Sequence, residues 1–353
     1  MTPSLIIITL SFFLSLTFGL ALSFTVFVKT IRQRIFTKIQ RKAHWTHKGD
    51  AARFGGISIL FGVVGTAFIL STGADMGPKI LLSALPVFLA GLSEDLGFEL
   101  SPITRILAGC MSGLVAVLIF GEWITITDIP PIDLLLTTPA VAIGFTIFTT
   151  CIVCHSVNIV DGLNGLASGT MLIALVGLCL ITSSTSGPHS FAIILSLIGS
   201  VSAFWIMNII FGRLFLGDAG AYTLGHVVGW LAILTMNANE YHSPWSYLLF
   251  IIFPTSETVV TVARRLLVTQ NVFAADRWHM HHLLLQWICS KRDIGEKKSN
   301  LIASLILLFS ACIPTYIGVV YTESTTICAA AALVYFSVFV ICYRKLRQTK
   351  MDV

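Results

Sequence analysis

The chain has 353 residues, of which 56% are hydrophobic and only 11% are charged, and its mean hydropathy is +0.88. A soluble protein of this length needs much more polar surface, so the composition excludes a soluble globular enzyme and predicts a polytopic integral membrane protein. The net charge of +5 is explained by Lys and Arg in cytoplasmic loops and does not indicate a nucleic-acid partner. The eight cysteines lie mostly inside apolar runs and include no pairing of one CxxC with another, so we interpret Cys151 and Cys154 as packing residues and not as a redox site.

Apolar stretches near the ~20 residues that a helix needs to cross the hydrocarbon core recur along the whole chain. The first one carries no leading basic cluster and is followed at once by Lys29, Arg32 and Arg34, which predicts an uncleaved first helix and not a signal peptide. We predict an all-α fold in a single integral membrane domain over residues 1–353. Its eleven transmembrane helices are predicted at residues 4–28, 54–72, 79–94, 103–121, 136–157, 165–183, 190–210, 219–237, 245–263, 300–321 and 325–343.

Basic residues are distributed very unevenly between the loops. If successive loops alternate sides of the membrane, all of the 22 Lys and Arg residues except Lys79 lie on the same side. The positive-inside rule assigns that side to the cytoplasm. The N-terminus is therefore predicted to lie outside and the C-terminus in the cytoplasm.

Acidic, amide and histidine residues gather in loops on the same predicted side, whereas the outer loops are rich in Ser, Thr, Gly and Pro and are typical of turns. The inner polar residues are Glu94, Asp95, Asn158, Asp161, Asn164, Asp218, Asp276, Arg277, His279, His281 and His282. Such a concentration on one face is what a site for a soluble anionic substrate needs.

The segment at residues 158–169, NIVDGLNGLASG, combines an acid, two amides and several glycines at the end of an apolar run. A carboxylate at the mouth of a membrane helix stays hydrated and can meet a soluble substrate. The alternative is a plain connection, in which Asn158 and Asp161 cap the next helix and Gly165 and Gly169 form a close-packing GxxxG. This segment alone does not decide between the two.

Six motifs follow one another in a specific order. They are GGISI at 55–59, GLSEDL at 91–96, NIVDGLNGLASG at 158–169, FLGDAG at 215–220, PTSETVVTVARR at 254–265 and DRWHMHHLL at 276–284. In this order they resemble the polyprenyl-phosphate N-acetylhexosamine-1-phosphate transferases, which include the initiators of O-antigen and teichoic acid synthesis. The resemblance covers nearly the whole chain. Four residues depart from the usual pattern: Glu94 and Glu257 replace Asp, Asn164 replaces the second Asp of DGxDG, and His155 replaces Asn.

The resemblance implies a phospho-sugar transferase. Such an enzyme moves N-acetylhexosamine-1-phosphate from a UDP-sugar to undecaprenyl phosphate, releases UMP, and starts a cell-envelope polysaccharide at the cytoplasmic face of the bacterial inner membrane. In phosphoryl transfer the protein mainly positions anions and neutralises charge. Mg²⁺, for which Mn²⁺ could substitute, suits one or two carboxylates together with substrate phosphates, and we assign it to Asp218 with help from Asn158 or Asp161. Gly217 and Gly220 would let the backbone approach the diphosphate.

Glu94 and Asp95 are predicted to form an acid pair on the acceptor side, and together with Asp161 they are the expected catalytic residues. Two adjacent carboxylates raise one another's pKa, so one of them can take a proton from the lipid phosphate near neutral pH. The alternative is capping of the next helix, but Ser101 and Pro102 already supply a cap and a first-turn proline. Glu94 has one methylene more than the Asp that is usual at this position, so we expect Asp95 to have the stricter geometric requirement.

The remaining candidates are expected to bind substrate. Arg105 and Arg213 lie near the inner face, where a lipid phosphate would sit, and Lys48 and Arg53 are further candidates; each also fits plain positive-inside anchoring. Asn158 and Asn164 are expected on the donor side, where an amide complements the donor–acceptor edge of uracil.

The histidine-rich motif is expected to fold over the donor diphosphate, with Asp276, Arg277, His279, His281 and His282 as its binding residues. A zinc site is the alternative, but no Cys or acid is suitably spaced to complete a tetrahedral ligand set.

Two other functions compete with this interpretation. A multi-pass transporter should carry ionisable residues near the membrane midplane, where His226 and Glu257 are the main candidates here. A phospho-MurNAc-pentapeptide transferase is a more distant member of the same family, disfavoured by Asn164 and the HMHH motif. The identity of the sugar, the pathway and the oligomeric state are not determined by the sequence.

Overall fold

The computed structural model describes residues 2–24, 53–70, 76–182, 188–212, 214–267, 277–291 and 294–351. These residues form fourteen helices and no β-strand, which confirms the predicted all-α polytopic class. The first seven helices are α1 (Pro3–Phe24), α2 (Gly55–Leu70), α3 (Met76–Asp95), α4 (Pro102–Phe120), α5 (Pro130–Leu136), α6 (Pro139–Val160) and α7 (Leu166–Thr182). The others are α8 (Pro188–Phe211), α9 (Gly217–Asn237), α10 (Pro244–Phe250), α11 (Ile252–Leu267), α12 (Met280–Lys291), α13 (Glu296–Val320) and α14 (Thr325–Met351).

Eight of the described helices are long and apolar enough to cross a membrane, and α10 with α11 adds a ninth candidate if the bent pair is one span. Two shorter apolar helices, α2 and α7, coincide with two further predicted spans. Each predicted span therefore corresponds to a helix or a helix pair, while the number that cross the membrane and their orientation stay predictions. The sequence did not predict α5 or α12.

The span predicted at 245–263 is not one straight helix, because α10 and α11 meet at 83°. The break has a local cause in Pro254. A proline ring collides with the carbonyl group four residues earlier, which belongs to Phe250, the last residue of α10. In the first turn of α11 the missing N–H of the proline costs nothing.

Helix α9 lies at the centre of the bundle. About nine tenths of its apolar window is buried (94%), compared with 17% for α14, and it packs against α2, α3, α6 and α7. Small residues permit this close packing: a Cβ at Gly225 would lie 2.8 Å from the Cα of Cys154 on α6. The position of α9 therefore fixes the position of Asp218, in its first turn.

The GGISI motif packs directly on the start of α9. Gly55 and Gly56 donate backbone hydrogen bonds to the carbonyl groups of Phe215 (2.9 Å) and Leu216 (3.0 Å). A Cβ at Gly56 would overlap the backbone of Gly220, so two glycines are needed where the segments cross. Two of the six motifs are thereby joined in one structural unit.

Candidate active site

The polar motifs meet at one end of the bundle. The C-terminal ends of α3 and α6 lie there beside the N-terminal ends of α9 and α12, and the contacts described below join them. Arg213, Asp276 and Lys48 lie outside the described residues.

Asp95 caps the N-terminus of α9. Its buried carboxylate accepts hydrogen bonds from the backbone N–H groups of Asp218 (3.0 Å) and Ala219 (2.9 Å), which the helix itself leaves unpaired. The guanidinium of Arg53 lies 4.0 Å from the same carboxylate. A Cβ at Gly91 would lie 2.5 Å from the Cα of Ala219, so α3 and α9 touch backbone to backbone. Asp95, which the sequence analysis predicts as a possible base, thus also fixes the position of Asp218.

Asp218 and Asp161 are close enough to influence each other electrostatically. Removal from water raises the pKa of Asp161 to about 7; the Arg53 guanidinium acts to lower it and the Asp218 carboxylate to raise it. Asp161 ends α6, where its backbone N–H donates to the carbonyl of Asn158 at 3.2 Å. A cation close to these two carboxylates would therefore be stabilised by both of them.

Glu94 holds the turn between α3 and α4. Its buried carboxylate accepts the backbone N–H of Leu100, and Gly97 within that turn has a φ of +89°. Ser101 accepts the N–H of Thr104 at 3.1 Å and caps α4, as the sequence predicts. Glu94 is therefore not needed as a cap for α4.

The histidine motif lies against the turn that follows Asp161. A Cβ at Gly162 would overlap Nε2 of His281 and lie 3.2 Å from Cε1 of His282. The two imidazole centroids are 4.2 Å apart. Burial lowers the pKa of His281 and brings the pKa of His282 to about 2, so both rings are neutral near pH 7. Arg277, in contrast, is exposed.

A carboxylate that the sequence analysis did not assign to the site holds this motif. Glu257 on α11 accepts the backbone N–H of Met280 at 2.9 and 3.1 Å, and His279 Nδ1 lies 3.2 Å from it. In the sequence Glu257 was recognised in the PTSETVV motif and as an ionisable residue within a predicted span, but it was given no role in the site. The loop is also held from α14, where the Tyr343 hydroxyl donates to the Trp278 carbonyl at 2.9 Å.

Asn164 sits in a turn fixed through its backbone. Its N–H donates to Asn300 Oδ1 (3.0 Å), and its carbonyl accepts from the Ser304 hydroxyl (2.9 Å). The N–H of Gly165 donates to Asn208 Oδ1, and Asn208 in turn donates to the carbonyl of Leu214 at 2.7 Å. The side-chain oxygen of Asn164 is buried and accepts no hydrogen bond from the described residues. Asn208, Asn300 and Ser304 have no motif that would have predicted this role.

Arg105 on α4 lies near Tyr222 in the N-terminal part of α9. It is within electrostatic reach of Tyr222 and His155, whose rings pack edge to face with centroids 5.1 Å apart. Tyr222 is one turn after Asp218 on α9 and is itself within reach of Glu94 and Asp218. Tyr222 was not predicted, because an aromatic residue within an apolar span carries no distinguishing pattern.

The described residues include no group of three or more His, Cys, Asp or Glu side chains that could hold a metal ion by themselves, and this finding extends to the histidine cluster. Mg²⁺ needs less from a protein, because one or two carboxylates and substrate phosphates are its usual ligands. Asp218 and Asp161 supply two neighbouring carboxylates, and the side-chain oxygen of Asn158, at the end of α6, would be a third oxygen ligand. This donor set fits Mg²⁺.

Comparisons with known proteins point to one family. Residues 78–236 match the family described as glycosyl transferase family 4. The chain is 25% identical over 274 residues to the probable undecaprenyl-phosphate N-acetylglucosaminyl 1-phosphate transferase of Bacillus subtilis, covering 76% of this chain and 75% of that one. It is 25% identical to the undecaprenyl-phosphate alpha-N-acetylglucosaminyl 1-phosphate transferase of Escherichia coli K12 (74% and 73% covered). It is 22% identical to the decaprenyl-phosphate N-acetylglucosaminephosphotransferase of Mycobacterium tuberculosis H37Rv (73% and 71% covered).

The matched region contains Asp95, Asp161 and Asp218, which the fold brings to one end of the bundle. The relatives cover about three quarters of the chain, and they carry the activity that the order of the six motifs implied. The chain is accordingly similar to glycosyl transferase family 4 over residues 78–236, and the relatives named above are polyprenyl-phosphate sugar-phosphate transferases.

Proposed function

We propose that this protein transfers an N-acetylhexosamine-1-phosphate group from a UDP-sugar to a polyprenyl phosphate of the undecaprenyl type, releasing UMP. One observation carries the proposal: the histidine motif packs on Gly162, next to Asp161, and Asp161 in turn lies within electrostatic reach of Asp218. Three separate motifs thus meet at one end of a membrane bundle, as a transferase that joins a soluble donor to a lipid acceptor requires. The names of the relatives support N-acetylglucosamine as the sugar and initiation of a cell-envelope polysaccharide as the role.

In the reaction, an oxygen of the lipid phosphate attacks the β-phosphorus of the donor. A new P–O bond forms as the bond from that phosphorus to the bridging oxygen breaks, and UMP leaves with the bridging oxygen. Any proton on the lipid phosphate passes to the acid pair, Glu94 and Asp95. Arg105 neutralises charge on the acceptor side, and His279, His281 and His282 line the donor diphosphate.

Asp218 and Asp161, with Asn158, would hold Mg²⁺ at this site. When bound, the ion supplies charge neutralisation between two phosphate groups that otherwise repel each other. Mn²⁺ accepts the same oxygen ligands.

The distribution of ionisable residues supports an enzyme over a transporter. Asp95, Asp161, Asp218 and Arg53 gather at one end of the bundle. In the described residues of α9, His226 is enclosed and its Nε2 lies 2.9 Å from the hydroxyl of Ser83, so it is part of the helix packing and not of a polar pathway.

A reconstituted assay tests the function directly. Purified protein, undecaprenyl phosphate, Mg²⁺ and a panel of UDP-N-acetylhexosamines are expected to give UMP and a lipid-linked sugar diphosphate, with UDP-N-acetylglucosamine the best donor. A donor that carries MurNAc-pentapeptide serves as the comparison within the family. UMP release from that donor alone would replace the proposed function by the more distant activity.

We place the active site on the cytoplasmic face of the bacterial inner membrane, on the strength of the basic loops. Glu99, at the end of the bundle that carries the acids, and Tyr241, in the α9–α10 connection, are both exposed. After replacement of the native cysteines, a membrane-impermeant maleimide is expected to label Tyr241→Cys in intact cells and Glu99→Cys only after permeabilisation. Labelling of Glu99→Cys in intact cells would reverse the orientation.

Asn164 is proposed to contact the uridine end of the donor. Its side-chain oxygen is buried and accepts no hydrogen bond from the described residues, and the turn is held by backbone contacts that Asn164→Ala does not remove. The variant is expected to raise the KM for the UDP-sugar about 10-fold, the cost of losing a hydrogen bond of ~1.4 kcal/mol, with the KM for the lipid phosphate unchanged. Steady-state kinetics with each substrate varied in turn gives both constants, and equal changes would remove Asn164 from the donor site.

A further inference from the structure

Glu257 is a completely buried carboxylate to which the proposed mechanism gives no role. Both of its oxygens accept the backbone N–H of Met280, at 2.9 and 3.1 Å, so Glu257 caps the N-terminus of α12 from the neighbouring helix α11. A neutral Ser, Thr or Asn serves equally well as a helix cap. A buried charge is expensive to maintain, so capping alone does not account for a carboxylate at this position.

The Glu257 carboxylate also contacts the histidine motif, from the side of α11. His279 Nδ1 lies 3.2 Å from Oε1, and His281 Nδ1 lies 3.9 Å from Oε2. Thr261 places its hydroxyl 3.2 Å from His279 Nδ1 on the same side. An ionised carboxylate only accepts hydrogen bonds, so it holds the proton of His279 on Nδ1 and fixes the ring orientation. The Nε2 atom of each ring is then directed away from α11.

The opposite side of the cluster faces the Asp161 turn. Nε2 of His281 occupies the space that a Cβ at Gly162 would need, and it makes no hydrogen bond within the described residues. The rings of His279 and His281 are stacked, with centroids 5.5 Å apart and planes within 9°. A tilt imposed on one ring is therefore passed to the other.

We propose that Glu257 is a positioning residue for the donor: it orients His279 and His281 toward the diphosphate. The inference rests on the proposed function. It assigns Glu257 no contact with substrate, and its effect is transmitted through the two imidazoles.

Three variants test the inference. Glu257→Gln keeps the shape and one acceptor oxygen but removes the charge. It is expected to raise the KM for UDP-N-acetylglucosamine about 10- to 100-fold, the range for a lost charge-assisted hydrogen bond, and to leave the KM for undecaprenyl phosphate unchanged. Glu257→Asp keeps the charge with a shorter reach and is expected to restore part of the donor affinity. Thr258→Val is the matched control, because it removes a 2.8 Å interhelical hydrogen bond to Ser156 from the adjacent position of α11 without touching a histidine.

A chemical readout separates this inference from the proposed function. Without substrate, diethyl pyrocarbonate is expected to modify His279 and His281 several-fold faster in Glu257→Gln than in the parent or in Thr258→Val, measured by peptide mass spectrometry. If the parent transfers sugar phosphate and Glu257→Gln has the parent's donor KM, the inference is overturned. If the parent shows no transfer, the proposed function fails, and unchanged histidine reactivity in Glu257→Gln then overturns the positioning role independently.

Discussion

Replacing Asp218 by asparagine is expected to reduce transfer at least ~1000-fold, about 4 kcal/mol of transition-state stabilisation. The substitution removes a carboxylate from the first turn of the central helix α9, beside Asp161. Its backbone N–H still donates to Asp95, so the start of the helix is preserved. Transfer is measured as UMP release over a range of Mg²⁺ concentrations.

The control for this variant is Glu99→Gln, which removes an exposed acid from the same end of the bundle. It is expected to keep the parent rate. Near-normal turnover of Asp218→Asn at raised Mg²⁺ or Mn²⁺ would place the metal ligands elsewhere.

Asp95→Asn is expected to lower turnover about 100-fold or more and also to lower the melting temperature. The carboxylate accepts two N–H groups of α9 through separate oxygens, whereas an amide has one acceptor oxygen and directs N–H groups at the other donor. Losing a charge-assisted bond in a buried place costs ~1.5–3 kcal/mol. Turnover at saturating lipid phosphate and thermal unfolding in detergent measure the two effects.

This variant also separates two roles of Asp95. If the carboxylate acts only as a cap, the loss of turnover is independent of pH and is accompanied by the loss of stability. If it also accepts a proton, the deficit changes with pH. Glu94→Asp is the companion variant and is expected to retain appreciable activity. Parent-like turnover of Asp95→Asn would remove the pair from the chemistry.

Hydropathy predicted the helices well because it is a property of consecutive residues. Each predicted span corresponds to a described helix or to the α10–α11 pair. The bend in that pair was predictable in principle, since Pro254 precludes a regular helix through Phe250. Helix α12 was missed because it follows the polar start of the histidine motif and is only 12 residues long.

The contacts that assemble the site could not be predicted in this way. Asp95 and the N–H of Asp218 are 123 residues apart in the chain, and Glu257 and Met280 are 23 apart. The type of each residue suggested chemistry, but only the fold shows that Asp95 and Glu257 each cap a neighbouring helix. Gly220 was likewise recognised as a motif residue and was expected near the diphosphate, whereas its backbone packs against Gly56 of the GGISI motif.

The near-complete enclosure of α9 affects how the protein enters the membrane. Helix α9 is the least apolar of the eight candidate spans and meets almost no lipid once folded. A segment of low hydrophobicity gains little free energy when it moves from the translocon into lipid without other helices. Its principal partners, α3 and α6, precede it in the chain and have already been synthesised when it emerges. Insertion of α9 is therefore expected to be cooperative with these helices, so the helix that carries Asp218 reaches the bilayer as part of an assembled unit.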